Sequence, residues 1–156
     1  MRCLILCFCC GMMLWLPPHT LAAAPDPATQ QAERKIRRDF EIVLDLWRDG
    51  RYDELYERTY ASGKHSRESF TRRIAAAGRK PACCWEKLQD VSVSPGQTGK
   101  ATLHARIGLE NSRGATEYCT RSFRMINDGE TWKPARSEIL SLAGKAAAKS
   151  SVYRYP

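Results

Sequence analysis

The hydrophobic period of this chain changes once, after Pro81, and that change does most to limit what it can fold into. Before it, Ile36, Phe40, Val43, Leu44 and Trp47 recur at three- and four-residue steps, one apolar face of a long amphipathic helix. After it, Ala101, Leu103, Ala105, Ile107 and Leu109 alternate with Thr102, His104, Arg106, Gly108 and Glu110, the period of two of a half-buried strand. A helical half followed by an alternating half predicts an α+β domain, with helices packed on an antiparallel sheet.

Punctuation residues set the expected boundaries. Asp26 caps the long helix, Pro27 opens it and Asp49-Gly50 stops it. Tyr52, Leu55, Tyr56 and Tyr60 mark a shorter helix that ends near Ser62-Gly63. Ser66 caps a third, with Phe70, Ile74 and Ala77 as its apolar stripe and Gly78 as its stop. Trp85 to Val93 reads as a first strand, broken by Ser94-Pro95-Gly96. Ala101 to Glu110 is the second, and Asn111-Ser112-Arg113-Gly114 is turn chemistry. Thr116 to Ile126 is the third, with Cys119, Phe123 and Met125 on one face. Asn127-Asp128-Gly129 is a hairpin turn, and Trp132 to Leu142 is read as a fourth strand in which Pro134 marks an edge or bulge. The expectation is three N-terminal helices on a curled four-stranded antiparallel sheet over residues 25–143, with a flexible tail at 144–156.

The first residues read as a secretory signal. Arg2 supplies the positive start, and Cys3 to Leu16 is apolar except for Gly11. Pro17-Pro18-His19-Thr20 breaks the run before the small residues Leu21-Ala22-Ala23-Ala24. Cleavage after Ala22, Ala23 or Ala24 fits, so residues 1–24 are expected to be removed and the chain to be periplasmic or secreted. An apolar run of about 14 residues is short of the roughly 20 that span a bilayer. Of 156 residues, about 130 remain, enough for one core and not two.

Loss of the leader removes Cys3, Cys7, Cys9 and Cys10 and leaves Cys83, Cys84 and Cys119, an odd count. In an oxidising compartment the expected disulfide joins Cys119 to Cys83 or Cys84, with a Cys83–Cys84 ring as the rarer alternative. The three remaining cysteines form no C-x-x-C, and no three residues show zinc or calcium spacing. No metal and no cofactor are expected.

Two stretches carry a family likeness: DLWRDGRYDELYERTYASGKHSRESFTRRI, Asp45 to Ile74, and RSFRMINDGETWKPARSEI, Arg121 to Ile139. The first resembles the opening helix, small-residue break and second helix of exported members of the nuclear transport factor 2-like superfamily. The second is similar to that family's last hairpin, where a strand, an Asp-Gly turn and a Trp lead into the final strand. The resemblance implies the cystatin-like roll shared with ketosteroid isomerase and polyketide cyclases, a cone of helices and curled sheet open at one end. It also implies a pocket there, serving isomerases, cyclases, dehydratases or binding domains without catalysis. The isomerase pattern of a carboxylate base and a Tyr-plus-acid oxyanion pair does not map residue by residue: Tyr52, Tyr56 and Tyr60 are available, but no acid is placed beside them.

Candidate site residues follow from the strand faces. Should the polar face of the second strand turn inward, His104, Arg106 and Glu110 line the cone with Tyr118 or Arg124, and Arg136 or Glu138, from neighbouring strands. His104 beside a carboxylate then serves as general base. The alternation favours the other orientation, with this face toward solvent. Tyr56, Tyr60 and Trp85 complete the candidate pocket. The net charge of +8, about +7 without the leader, and the basic clusters Arg34–Arg38, Arg72-Arg73 and Arg79-Lys80 suit an anionic surface such as lipid headgroups or envelope polymers. No helix-turn-helix pattern accompanies them, so nucleic acid is not expected. Three functions stay open. They are an exported binding or accessory domain for a small ligand or envelope protein, a small isomerase, dehydratase or cyclase using the cone, and a structural envelope protein dimerising through its sheet.

Overall fold

A computed structural model describes residues 27–144; the leader expected at 1–24 and all but the first residue of the tail expected at 144–156 lie outside the described residues. Helix α1 runs Pro27–Arg48, α2 Tyr52–Glu57 and α3 Arg67–Ala75. Strand β1, Arg79–Pro81, is followed by a single 3-10 turn at Cys84–Lys87. Then come β2, Leu88–Pro95, β3, Lys100–Asn111, β4, Thr116–Asn127, and β5, Trp132–Pro134. Helix α4, Arg136–Ala143, closes the described chain.

The local reasons are those of the sequence. Ser66 accepts a hydrogen bond from the Ser69 amide at 3.2 Å and so caps α3. Gly50 takes a positive φ of 76° just past α1, a conformation glycine adopts without a Cβ penalty. Strands β3 and β4 pair over their full lengths, from Lys100 opposite Ile126 to Glu110 opposite Thr116. β1 and β2 pair in tandem along the other edge of β3, and β5 pairs with β4. All pairings are antiparallel, and the sheet curls into a half-barrel.

The concave face of that sheet is the core. Leu103, Ala105, Ile107, Phe123 and Met125 are buried against Ile36, Phe40, Val43, Leu44 and Trp47 of α1. The Phe40 and Phe123 ring centroids lie 4.6 Å apart and tilted, a favourable aromatic geometry. Asp39 is 5% exposed and accepts the Trp132 amide at 2.9 Å, which ties α1 to β5.

Two expectations are corrected. The segment Trp132–Leu142 is not a fourth strand: pairing stops at Pro134, which has no N–H to donate, and the chain turns helical at Arg136. Ile139, Leu140, Leu142 and Ala143 are buried, and Glu138 in the first turn suits the positive end of the helix dipole. The first long strand does not begin at Trp85: residues 84–87 leave the sheet as a 3-10 turn, so the sheet has five strands and not four. The cysteine arrangement also differs from the favoured pairing. The Cys83 and Cys84 sulfurs are in close contact, compatible with the vicinal disulfide, and Cys119 stands apart from them. Cys119 stands opposite Ile107 and packs on the core cluster.

Candidate binding surface

The cone interior is occupied by side chains. Trp47, Phe40, Phe70, Phe123, Leu44 and Leu103 are among the largest fully buried groups, and none of the described grooves enters between them. Chemistry therefore has to be sought on the surfaces around this filled core.

The candidate residues are distributed over three places. Arg136 is the first residue of α4 and only 6% exposed. Its guanidinium lies 3.6 Å from the centroid of the Tyr56 ring and donates to the Thr59 hydroxyl at 3.2 Å and the Thr59 carbonyl at 3.3 Å. This desolvated cation is held by a ring face and neutral oxygens, and it ties α4 to the end of α2. Tyr60 forms a single bridge with Ala135: its amide donates to the Pro134 carbonyl at 3.0 Å, and its carbonyl accepts from the Arg136 amide at 3.1 Å. Its phenol borders a groove with Lys100 and Arg124. Burial pushes that phenol above its ordinary pKa, while Arg124 pulls it down and Glu138 adds to the rise. Glu138 accepts both the Arg124 amide and its Nε at 2.9 Å.

His104 is exposed on the outer face of β3, flanked across the sheet by Ser92 and Ser122. Its Nδ1 lies 3.0 Å from the Ser122 hydroxyl. A nucleophile–base relay needs a third group that orients the ring, and no carboxylate bonds His104 among the described residues.

The third place is the turn between β1 and β2. Trp85 is 72% exposed there and Tyr118 of β4 is 38% exposed; they are the only large apolar side chains left in solvent among the described residues. The Tyr118 hydroxyl donates to Glu86 Oε1 at 2.8 Å, which raises the phenol's pKa, and Arg106 stacks on the Tyr118 ring at 4.3 Å. The turn is fastened from several sides. The Ala82 amide donates to the Gly108 carbonyl at 2.9 Å, and Lys87 Nζ meets Asp45 of α1 at 2.6 Å. The Glu86 carbonyl comes so close to β3 that a Cβ at Gly108 would lie 2.3 Å from it. Cys84, next to Trp85, has a positive φ of 59°, uncommon for a residue with a side chain. Glu86 and Gly108 escape the sequence reading, although a glycine inside an alternating strand signals a close backbone approach. Trp85 is expected on a strand; here a turn presents it.

No group of three His, Cys, Asp or Glu residues that could hold a metal ion occurs among the described residues. No family model and no curated protein matches this chain. Among solved structures, the 1.8 Å structure of Aln2 from a Streptomyces species is similar over 76% of this chain and 98% of that one, with 11% identity and a TM-score of 0.49. The α+β roll assigned here rests on the chain's own curled antiparallel sheet and the helices that fill it.

Proposed function

We propose that this chain is an exported, non-catalytic binding domain of the nuclear transport factor 2-like type, and that it engages a partner protein through the outer sheet face around Trp85. The observation that carries this reading is the conflict between a fastened turn and an exposed indole. An exposed turn with nothing to present has no need of an ion pair to α1, a backbone contact at Gly108 and a close Cys83–Cys84 contact. Here those restraints hold out the most exposed large apolar group described. A pre-ordered anchor loses little side-chain freedom on binding, and Trp, Tyr and Arg are the residues that most often dominate binding energy. Arg106 and Tyr118 supply the other two beside Glu86.

Export is supported by the charged, apolar, small-residue order of the leader, and a Cys83–Cys84 disulfide accords with an oxidising compartment. The intact mass of the protein from the cells that make it tests this part: loss of 22 to 24 residues supports it, and retention of Met1 refutes it. The surface is tested by placing a photo-crosslinking residue at position 85, and in parallel at 102, in the same cells. A discrete adduct from 85, abolished by Arg106→Ala with Tyr118→Ala, supports the reading; an adduct of twice the chain's mass names the partner as a second copy. Equal, diffuse labelling from both positions, or none, overturns it.

A further inference from the structure

At the opposite end of β3, eight residues or about 26 Å along the strand from Gly108, two grooves adjoin and share Lys100 and Ala101. One, of about 230 Å³, runs between the first turns of α1 and the β2–β3 edge, and Ala32, Ile36, Val93 and Trp132 make its walls apolar. The other, of about 350 Å³, lies over β3 and β4 and brings Tyr60, Gln97 and Arg124 to its walls. Ligand sites commonly measure roughly 300–1,000 Å³, so the polar arm is within that range and the apolar arm just below it.

The charges are ordered along this pair of grooves. Lys100 stands where they meet, and no carboxylate is paired with its ammonium among the described residues. Arg124 is held to Glu138 through Nε and its backbone amide, and its terminal nitrogens are not engaged among the described residues. The one acid on the apolar arm is Glu33, and it also borders a separate depression with Arg34, Arg37 and Val91. Lys100 and Arg124 attract an anionic head on the β3–β4 side, while an alkyl chain finds apolar walls along the α1 arm.

We propose that the two grooves form one site for an aliphatic carboxylate, with the alkyl chain along Ala32, Ile36, Val93 and Trp132 and the carboxylate between Lys100 and Arg124. The Tyr60 hydroxyl is a further donor on the same wall. This site shares no residue with the Trp85 surface, so either proposal stands if the other fails.

Calorimetric titration of the protein with decanoate and with decanol, both below their aggregation concentrations, tests it. Decanoate binds at one site, at least about tenfold more tightly than decanol, because the charged head gains hydrogen bonds to cations. Affinity rises by up to about fourfold per methylene from hexanoate until the groove is full. Lys100→Glu, a change at an exposed position, removes the preference for decanoate and leaves decanol binding intact, and Ala32→Trp blocks both ligands. Absence of decanoate binding, equal binding of the two ligands by the unaltered protein, or a preference that survives Lys100→Glu overturns the proposal. Should Ala32→Trp fail to fold, the Lys100→Glu result decides alone.

Discussion

The two faces of the β3–β4 pair differ in what they ask of the sequence. On the concave face Leu103, Ala105, Ile107, Phe123 and Met125 are all buried and apolar, and Phe40 and Trp47 of α1 fill the space above them. On the convex face the alternate residues His104, Arg106, Tyr118, Thr120 and Ser122 are polar or amphipathic and stand in water or half in water. The first face is constrained by burial and volume; the second is free of that constraint and is held by cross-strand polar pairs such as His104–Ser122 and Arg106–Tyr118. Period-two alternation separates these roles, and a one-residue slip in register would exchange them.

Breaking the concave face has the largest effect. Phe123→Ala removes a side chain 1% exposed and its stacking with Phe40, and costs about 3–5 kcal/mol in a urea titration. Gly108→Ala crosses the boundary between the faces. The added Cβ meets the Glu86 carbonyl, so the turn shifts, stability falls by about 1–3 kcal/mol, and the crosslink from position 85 is lost with it. A crosslink unaffected by Gly108→Ala would mean that the fastening of the turn is irrelevant to presentation.

A smaller effect sharpens the contrast in the β4–β5 turn. The Asp128 carboxylate is bound by Lys133 at 2.7 Å and by the Thr131 amide at 2.9 Å, which holds its pKa well below the usual carboxylate range. The depressed folded-state value means the unfolded chain binds the proton more readily. This contribution is therefore full above pH ~4, the ordinary Asp value, and is lost as pH falls toward the folded value. Asp128→Asn removes that contribution at neutral pH and flattens the stability-versus-pH curve below about pH 4, so the variant and the unaltered protein converge in acid. An unchanged acid limb would show that the turn does not hold the charge.

Much of the fold was legible because period carries it. The α1 stripe, the Ser66 cap and the β3 and β4 faces are local patterns, and each is found where its spacing places it. The C-terminal segment was not legible: Trp132 to Leu142 has strand formers at its start and no side-chain cap, and only Pro134 stopping the β5 pairing decides for helix. The surface was legible as residues and not as an arrangement. Trp85, Arg106 and Tyr118 stood out by type, but their assembly depends on a turn that leaves the sheet opposite Gly108, a contact between segments more than twenty residues apart. Arg136 reads as a strand cation and is a buried one, because its partners Tyr56 and Thr59 come from α2 and its end.

Urea denaturation of Trp85→Ala beside the unaltered protein tests most directly the claim that the turn presents this side chain and does not need it. The account predicts a stability change within about 0.5 kcal/mol, as for surface positions in general, although the largest side chain in the turn has been removed. A loss of about 2 kcal/mol or more, the scale of a buried side chain, would make Trp85 part of the folded core and contradict the binding surface built on it.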